Sequence, residues 1–326
     1  MAKEIGVDLG TANVLIYVDG EGIILNEPSV VAIDTKTEKI LAVGTEAYQM
    51  VGRTPGNIRA VRPLKDGVIS DFDMTEAMLS RFMSKLNVKG VMSRPNIMVC
   101  APTNITSIEK KAIIGAAEKS GGGKVYLEYE PKVAAVGAGL DIFSPIASMV
   151  IDMGGGTTDI AVLSLGDIVT SESIRIAGDK MNTDITNMVK KDHGLMIGER
   201  TAEQIKIQIG TATPLDEPEE MEVRGRDSFT GMPRTVTLNT NEVEASMHDT
   251  LTQIVEVAHA VLGRIQPELA SDIIDRGIVL TGGGALLRGV DKLISQHLGV
   301  PVMISEKPLD NVAKGAGMLL AHMHAN

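Results

Sequence analysis

Short apolar runs ending in Asp-x-Gly alternate along this 326-residue chain with stretches of helical period. Met149 to Asp152 reads as a buried strand ending in a carboxylate. Gly154, Gly155, Gly156, Thr157 and Thr158 follow, then Asp159 and a second strand from Ile160 to Leu163. The chain opens in the same way: Ile5 to Asp8, then Leu9, Gly10, Thr11, Ala12 and Asn13, then a strand from Val14 to Val18. Asp8 and Asp152 stand 144 residues apart, an internal repeat on the scale of a domain. Further strands are expected at Ile23 to Leu25, Val30 to Ile33, Leu41 to Val43, Asn96 to Ala101, Val125 to Leu127, Ile168 to Ile176, Gly277 to Leu280 and Val302 to Ile304.

Helical periodicity falls between these strands. A capping box at Asp73 and Glu76 is expected to open a helix whose stripe is Met78, Leu79, Phe82, Met83 and Leu86. Thr106 and Glu109 form a second box, and that helix should stop at Gly121. Glu130-Pro131 starts a helix of small residues, proline suiting the first helical position. Others are expected from about Asp179 to His193, Glu199 to Ile209, Asn241 to Arg264 and Ala285 to Leu298, and after Pro308. The polar segment Thr211 to Asn239 holds only two short strand-like pieces, MEVRG and TVTL. Strand and helix in alternation define an α/β protein.

The glycine turns carry the chemistry. A tight hairpin needs one or two residues at positive φ. Three glycines and two threonines after Asp152 offer more: bare N–H groups and hydroxyls able to close around an anion. A carboxylate at the strand end repels a phosphate unless a hard cation such as Mg²⁺ lies between them. A third turn, Thr281-Gly-Gly-Gly284, follows a strand and precedes a helix, the form that places an anion or a sugar at a helix N-terminus. The P-loop pattern and a GxGxxG opening a βαβ unit are both absent.

Composition narrows the partners. Hydrophobic residues make up 44% and charged residues 22%, ordinary for a globular protein long enough for two domains. With no Trp, four Phe and four Tyr, the core must be aliphatic, aided by 18 Met. A formal charge of −11 argues against a nucleic-acid partner and against a polybasic membrane anchor. The single cysteine, Cys100, sits in an apolar strand pattern and reads as a buried thiol in a reducing compartment. No leader is expected, since the first strand begins almost at once, and no apolar run reaches the ~20 residues of a membrane span.

Taken together, the segments resemble the actin, sugar-kinase and heat-shock-chaperone ATPase superfamily. The matches are Asp8 to Asn13, Glu130 to Gly137, Asp152 to Asp159, Thr281 to Leu286 and Asn311 to Gly317. Within it, DLGTAN, LNEPSVVA, GRTPGNI, RPLKDGVI, RTAEQIK, LTGGGALLRG and PELASDI resemble the bacterial actins that direct cell shape, over nearly the whole chain. The resemblance implies an actin-like ATPase fold: two related α/β domains, each with a smaller subdomain, around a nucleotide cleft. The first would span 1–144, with a small part at about 30–75, and be rejoined by the final helix at about 308–326. The second would span 145–307, with a small part at about 180–250.

The resemblance also implies ATP and Mg²⁺ as cofactors. Thr11, Ala12 and Asn13 would line the phosphates from one side, and Gly155, Gly156 and Thr157 from the other. Asp8 and Asp152 would hold Mg²⁺ through water. Glu203, Gln204, Ile205 and Lys206 would meet the ribose and adenine, and Gly283, Gly284, Ala285 and Leu286 would pack on the nucleotide. On spacing alone Glu203 and Lys206 read as a surface ion pair. Glu130 is the candidate catalytic residue, positioning the water that attacks the γ-phosphate with help from Thr157; its bland reading is an acid complementing a helix N-terminus. Tyr129 stands where family members often carry a second glutamate. Val91 and Met92, between Lys89 and Arg94, are the candidate membrane contact, an ordinary loop being as good a reading on spacing. The implied partners are other copies of the chain, the membrane surface and cell-wall morphogenesis proteins, at the cytoplasmic face of the membrane. Two other readings compete. A sugar or acetate kinase would need an acceptor pocket, and a chaperone ATPase a long peptide-binding domain after the core.

Overall fold

The computed structural model describes residues 3–86 and 94–325. Two five-stranded sheets organise it, and they share one topology. In the first, the strands run in the spatial order Val125–Tyr129, Asn96–Ala101, Glu4–Leu9, Asn13–Val18, Gly22–Pro28. In the second, the order is Val302–Ile304, Ile278–Thr281, Ser148–Met153, Thr158–Ser164, Asp167–Ile174. Each sheet has an antiparallel meander of three strands, and its first strand pairs in parallel with the fourth, which pairs in parallel with the fifth. The repeat expected from Asp8 and Asp152 is therefore a repeat of whole sheets.

Side-chain alternation explains how the two sheets are joined. Ile97, Val99 and Ala101 face one core, with Val7, Leu9, Val14 and Phe82. Met149, Ile151 and Met153 face a second, with Ile185, Leu251 and Leu280. The intervening positions, Met98 and Cys100 on one sheet and Val150 on the other, meet in a third core. Helices Glu130–Gly137 and Asn311–Ala325 fill it with Val133, Ala134, Ala135, Val312, Ala316 and Leu320. Cys100 is buried there as a free thiol, and burial holds it in the protonated form.

The two helices cross almost backbone to backbone. A Cβ added at Gly315 would lie 1.8 Å from Val133 O, and one at Gly137 would lie 1.9 Å from Asn311 O. Gly6 meets the same final helix, where a Cβ would lie 2.1 Å from Ala313 O. Lys314 seals the crossing by donating to Gly137 O at 2.8 Å.

Smaller sheets flank the large ones: Ile40–Val43, Val31–Asp34 and Ile58–Val61 after the first meander, and Leu195–Met196, Glu220–Asp227 and Pro233–Asn239 after the second. The MEVRG and TVTL pieces belong to the last of these. Several expected boundaries shift. The helix assigned a capping box at Asp73 runs Phe72–Lys85 and is capped by Asp71, whose side chain accepts from Met74 N at 3.0 Å. The box at Thr106 and Glu109 is formed. Another, at Asn239 and Glu242, opens the long helix Thr240–Leu262. The helix expected from Ala285 to Leu298 is two pieces, a 3₁₀ turn at Gly283–Leu286 and an α-helix at Val290–Leu298, separated by Gly289 at φ 76°. Helices Thr45–Met50 and Pro267–Arg276 were not expected from periodicity. No helix among the described residues is long and apolar enough to cross a membrane.

Candidate functional site

The turns of the two repeated hairpins meet each other. A Cβ on Gly155 would lie 2.9 Å from the Cβ of Ala12, and one on Gly156 would lie 2.6 Å from Thr11 Oγ1. Only glycine permits backbones to approach this closely. Each turn is braced from within its own domain. Ser29 donates to Gly10 O at 2.6 Å and its N–H to Ala12 O at 2.9 Å, and Asn13 donates to Asn26 Oδ1 at 2.6 Å. In the second turn Gly154 N donates to Thr157 O at 2.8 Å, and Thr158 Oγ1 to Ile176 O at 2.7 Å. The helix Gly178–His193 starts directly behind it, Asp179 N donating to Gly155 O at 2.8 Å.

A third hairpin, Leu64–Lys65 with Val68–Ile69, inserts at this junction. Its turn residues Asp66 and Gly67 both have positive φ, 51° and 75°, as a type I′ turn requires. Gly67 N donates to Thr11 Oγ1 at 2.9 Å, and a Cβ on Gly67 would lie 2.9 Å from Thr157 Cγ2. Asp66 and Gly67 were not among the expected site residues. The Asp-Gly pair between two apolar-edged segments is a strong hairpin signal, but nothing in it announces contact with distant turns.

Four carboxyl groups converge below the turns. Burial raises Asp8 to about 7. Burial, then the charges of Asp8 and Asp159, holds Asp152 well above the usual carboxylate range. Burial and then Asp159, Asp8 and Asp152 do the same to Glu130. Asp159 rises to about 6 through burial, against the opposing hydrogen bond from Thr103 N at 3.2 Å. Such a cluster is electrostatically unsatisfied and calls for a cation. Among the described residues no group of three or more His, Cys, Asp or Glu is gathered as a direct metal cage. The donors are carboxylate oxygens, the kind a hard cation takes, and Asp8 and Asp152 are the residues that would hold one through water.

Glu130 begins its helix just after Tyr129, and Pro131 occupies the first turn. Tyr129 turns toward the neighbouring helix Ser107–Lys119, where Lys110 lies 4.9 Å from its ring centroid and 3.3 Å from its hydroxyl.

The remaining candidates lie on two further elements. On helix Glu199–Ile209, Glu203 and Lys206 share a face. Ile205 is fully buried in the second core and Gln204 is exposed, so Ile205 has only its backbone to offer a ligand. Lys206 Nζ donates to Gly178 O at 2.9 Å, and burial lowers its ammonium below the ordinary lysine range. After strand Ile278–Thr281, Gly282 adopts φ 80°, and a Cβ there would strike Met153 O at 2.4 Å and Asp152 Oδ1 at 2.5 Å. The 3₁₀ turn that follows buries Ala285 and leaves Leu286 exposed. Asn311 ties this loop to the final helix through Thr281 Oγ1 at 2.8 Å and Ser305 Oγ at 2.6 Å. Val91 and Met92 lie outside the described residues.

Paired sheets of one topology, with their first hairpins turned toward each other and two helices crossing beneath, are the architecture of the actin-like fold. The crystal structure of MreB 5 of Spiroplasma citri bound to AMPPNP matches it with a TM-score of 0.95 at 36% identity, covering 100% of this chain and 98% of that one. Residues 2–326 match the sequence model of the MreB/Mbl protein family. The chain is 60% identical over 322 residues to the cell shape-determining protein Mbl of Bacillus subtilis, covering 99% of this chain and 97% of that protein. It is 49% identical over 324 residues to the cell shape-determining protein MreB of Escherichia coli, covering 98% and 93%. The chain belongs to the MreB/Mbl family.

Proposed function

We propose that this protein is an actin-like ATPase that binds ATP with Mg²⁺, hydrolyses it, and polymerises into membrane-associated filaments that organise cell-wall synthesis and maintain bacterial cell shape. The observation that carries this reading is the direct contact of Gly155 and Gly156 with Ala12 and Thr11 above the carboxylates Asp8, Asp152 and Glu130. Two rows of amides and hydroxyls facing each other over partly buried acids suit a polyphosphate carrying its own cation. The Spiroplasma protein holds AMPPNP in one crystal structure and ADP in another, which favours ATP as the ligand.

In this reading Thr11, Ala12 and Asn13 bind the phosphates from the first domain, and Gly155, Gly156 and Thr157 from the second. Asp8 and Asp152 would hold Mg²⁺ through water, and the ion would supply positive charge against the phosphates. Glu203 and Lys206, with the backbone around Gln204 and Ile205, meet the ribose and adenine. Gly283, Gly284, Ala285 and Leu286 cover the nucleotide. Glu130 orients the attacking water and Thr157 shares its hydrogen bonds; the work is positioning, as phosphoryl transfer demands. The first domain comprises 1–144 and the final helix at about 308–326, and the second comprises 145–307. The partners are further copies of the chain, the membrane surface and morphogenesis proteins at its cytoplasmic face, with no nucleic acid.

Incubation with ATP and Mg²⁺, followed by pelleting and a phosphate-release assay, tests the proposal. Sedimentable polymer and inorganic phosphate are expected, with no phosphate transferred to sugars or acetate. Transfer to such an acceptor without assembly, even on vesicles, would establish the kinase reading instead.

A further inference from the structure

Contacts between helix Glu199–Ile209 and the smaller sheet region of the first domain have no part in the chemistry described so far. Tyr48, on helix Thr45–Met50, donates its hydroxyl to Glu203 Oε2 at 2.5 Å, across 155 residues of sequence. Arg200, one turn earlier on the second helix, lies over the Tyr48 ring at 4.8 Å and donates to Gln49 O at 3.4 Å. Arg62, just after the Ile58–Val61 strand, pairs with Glu199 at 2.6 Å. All these contacts join the first domain to the helix that carries Glu203 and Lys206.

Resting on the nucleotide reading above, we infer that Tyr48 is a positioning residue. It clasps the two domains together and holds Glu203 in place for the ribose, so that it sets how fast nucleotide leaves. The carboxylate has lone pairs enough for both tasks: Oε2 accepts from Tyr48, and the remaining acceptor capacity serves a ribose hydroxyl. The phenol is a suitable latch. It is half-buried, and its bond to a carboxylate is of the charge-assisted kind, stronger than a neutral one. The Arg62–Glu199 pair is more exposed, so its share is smaller and screened by salt. Opening the cleft breaks both contacts and releases Glu203 from the geometry that binds the sugar. Nucleotide binding in turn fixes Glu203 and favours the clasped arrangement.

The test measures release of radiolabelled ADP from the full-length protein with Mg²⁺, chased with excess unlabelled ADP. Tyr48→Phe removes the hydroxyl and keeps the ring; release is expected to be about tenfold faster, the scale of one hydrogen bond to a charged group. Arg62→Glu should speed release severalfold, and Arg62→Glu with Glu199→Arg should bring it back to within about twofold of wild type. Single-turnover hydrolysis at saturating ATP should be unchanged in all variants, which separates positioning from catalysis. With 2′,3′-dideoxy-ADP the acceleration caused by Tyr48→Phe should shrink without vanishing, because the ribose hydroxyls that Glu203 would bind are missing while the clasp between the domains remains. Wild-type release of ADP from Tyr48→Phe, or a charge swap no better than Arg62→Glu alone, would overturn the clasp. Wild-type protein that retains no ADP at all would instead remove the nucleotide reading beneath it.

Discussion

Gly156 has Thr11 and Asp66 where a side chain would be. An added Cβ would stand 2.6 Å from Thr11 Oγ1 and 2.9 Å from Asp66 Cα. The hydroxyl belongs to a side chain that already accepts from Gly67 N, and Asp66 Cα is backbone, so neither gives way cheaply. Gly156→Ala should therefore push the three turns apart. Expected outcomes are a loss of about 1–3 kcal/mol in stability, the range for overpacking, and ATP affinity at least tenfold weaker by equilibrium dialysis. Wild-type affinity in this variant would show that the close approach is not needed for binding.

The carboxylates below the turns divide into two roles on the proposed mechanism. Glu130→Ala should bind ATP nearly as wild type and hydrolyse it about 10²-fold more slowly, the low end for a positioned acid–base group. Asp152→Ala should lose the Mg²⁺ dependence of turnover. Both are read by phosphate release against a Mg²⁺ titration. Wild-type turnover in both variants would refute the assignment.

Much of this arrangement was written in local sequence. Strands ending in Asp8 and Asp152 announced themselves by apolar runs and glycine, and their shared pattern foretold a duplicated sheet. The capping box at Thr106 and the proline after Glu130 fixed two helix starts, because their signals lie within four residues of the event. What escaped was set by tertiary contact. Helix Thr45–Met50 is too short for periodicity, and its acidic anchor is distant: Glu27 Oε2 accepts from Thr45 N and Oγ1, both at 2.7 Å. Asp71 caps the helix that Asp73 seemed to start, since which of two nearby acids points at the free amides depends on the chain before it. Asp66 reaches the site only because its hairpin is folded against the two repeated turns. Ile205 shows the reverse limit: a motif segment taken whole includes a residue whose side chain the core claims.

Proton binding to the carboxyl cluster makes stability depend on pH in a stated direction. Asp159 titrates at about 6 in the folded chain, against an ordinary 3.8, and Asp8 at about 7. Between about pH 4 and these values the folded protein holds protons the unfolded chain has released. That contribution is complete below the unfolded value and is lost as pH rises through the folded one. The nucleotide-free protein should melt at lower temperature at pH 8 than at pH 5.5. Asp159→Asn should flatten the slope and raise the melting temperature at pH 8 by roughly 2–6 °C. Thermal scans across pH without nucleotide or Mg²⁺ check this; a steeper slope in the variant would contradict it.

Membrane binding is a matter of number on the proposed reading. One copy of Val91 and Met92 offers about 1.5–3 kcal/mol per fully buried side chain, whereas a polymer presents many copies at once. Val91→Ser combined with Met92→Ser should abolish sedimentation with vesicles while leaving pelleting of polymer intact. Unchanged vesicle sedimentation would remove this pair from the account.

The crossing of Glu130–Gly137 with Asn311–Ala325, between the two sheets, is a near backbone-to-backbone contact, and it rests on missing side chains. At Gly315 the obstacle to a Cβ is Val133 O at 1.8 Å, and at Gly137 it is Asn311 O at 1.9 Å. Both obstacles are backbone inside helices, so relief requires moving a helix by more than an ångström. That would strip packing from Ala134, Ala316 and the apolar residues between the sheets. Gly315→Ala should therefore cost about 2–3 kcal/mol despite the better helix propensity of alanine. Gly56→Ala is the control, at a turn residue with open space within 4 Å and no positive φ. Urea denaturation of the two variants decides the point. Equal midpoints would mean the helices slide past each other freely. A drop confined to Gly315→Ala would mark the crossing as a fitted backbone contact that admits no added side chain.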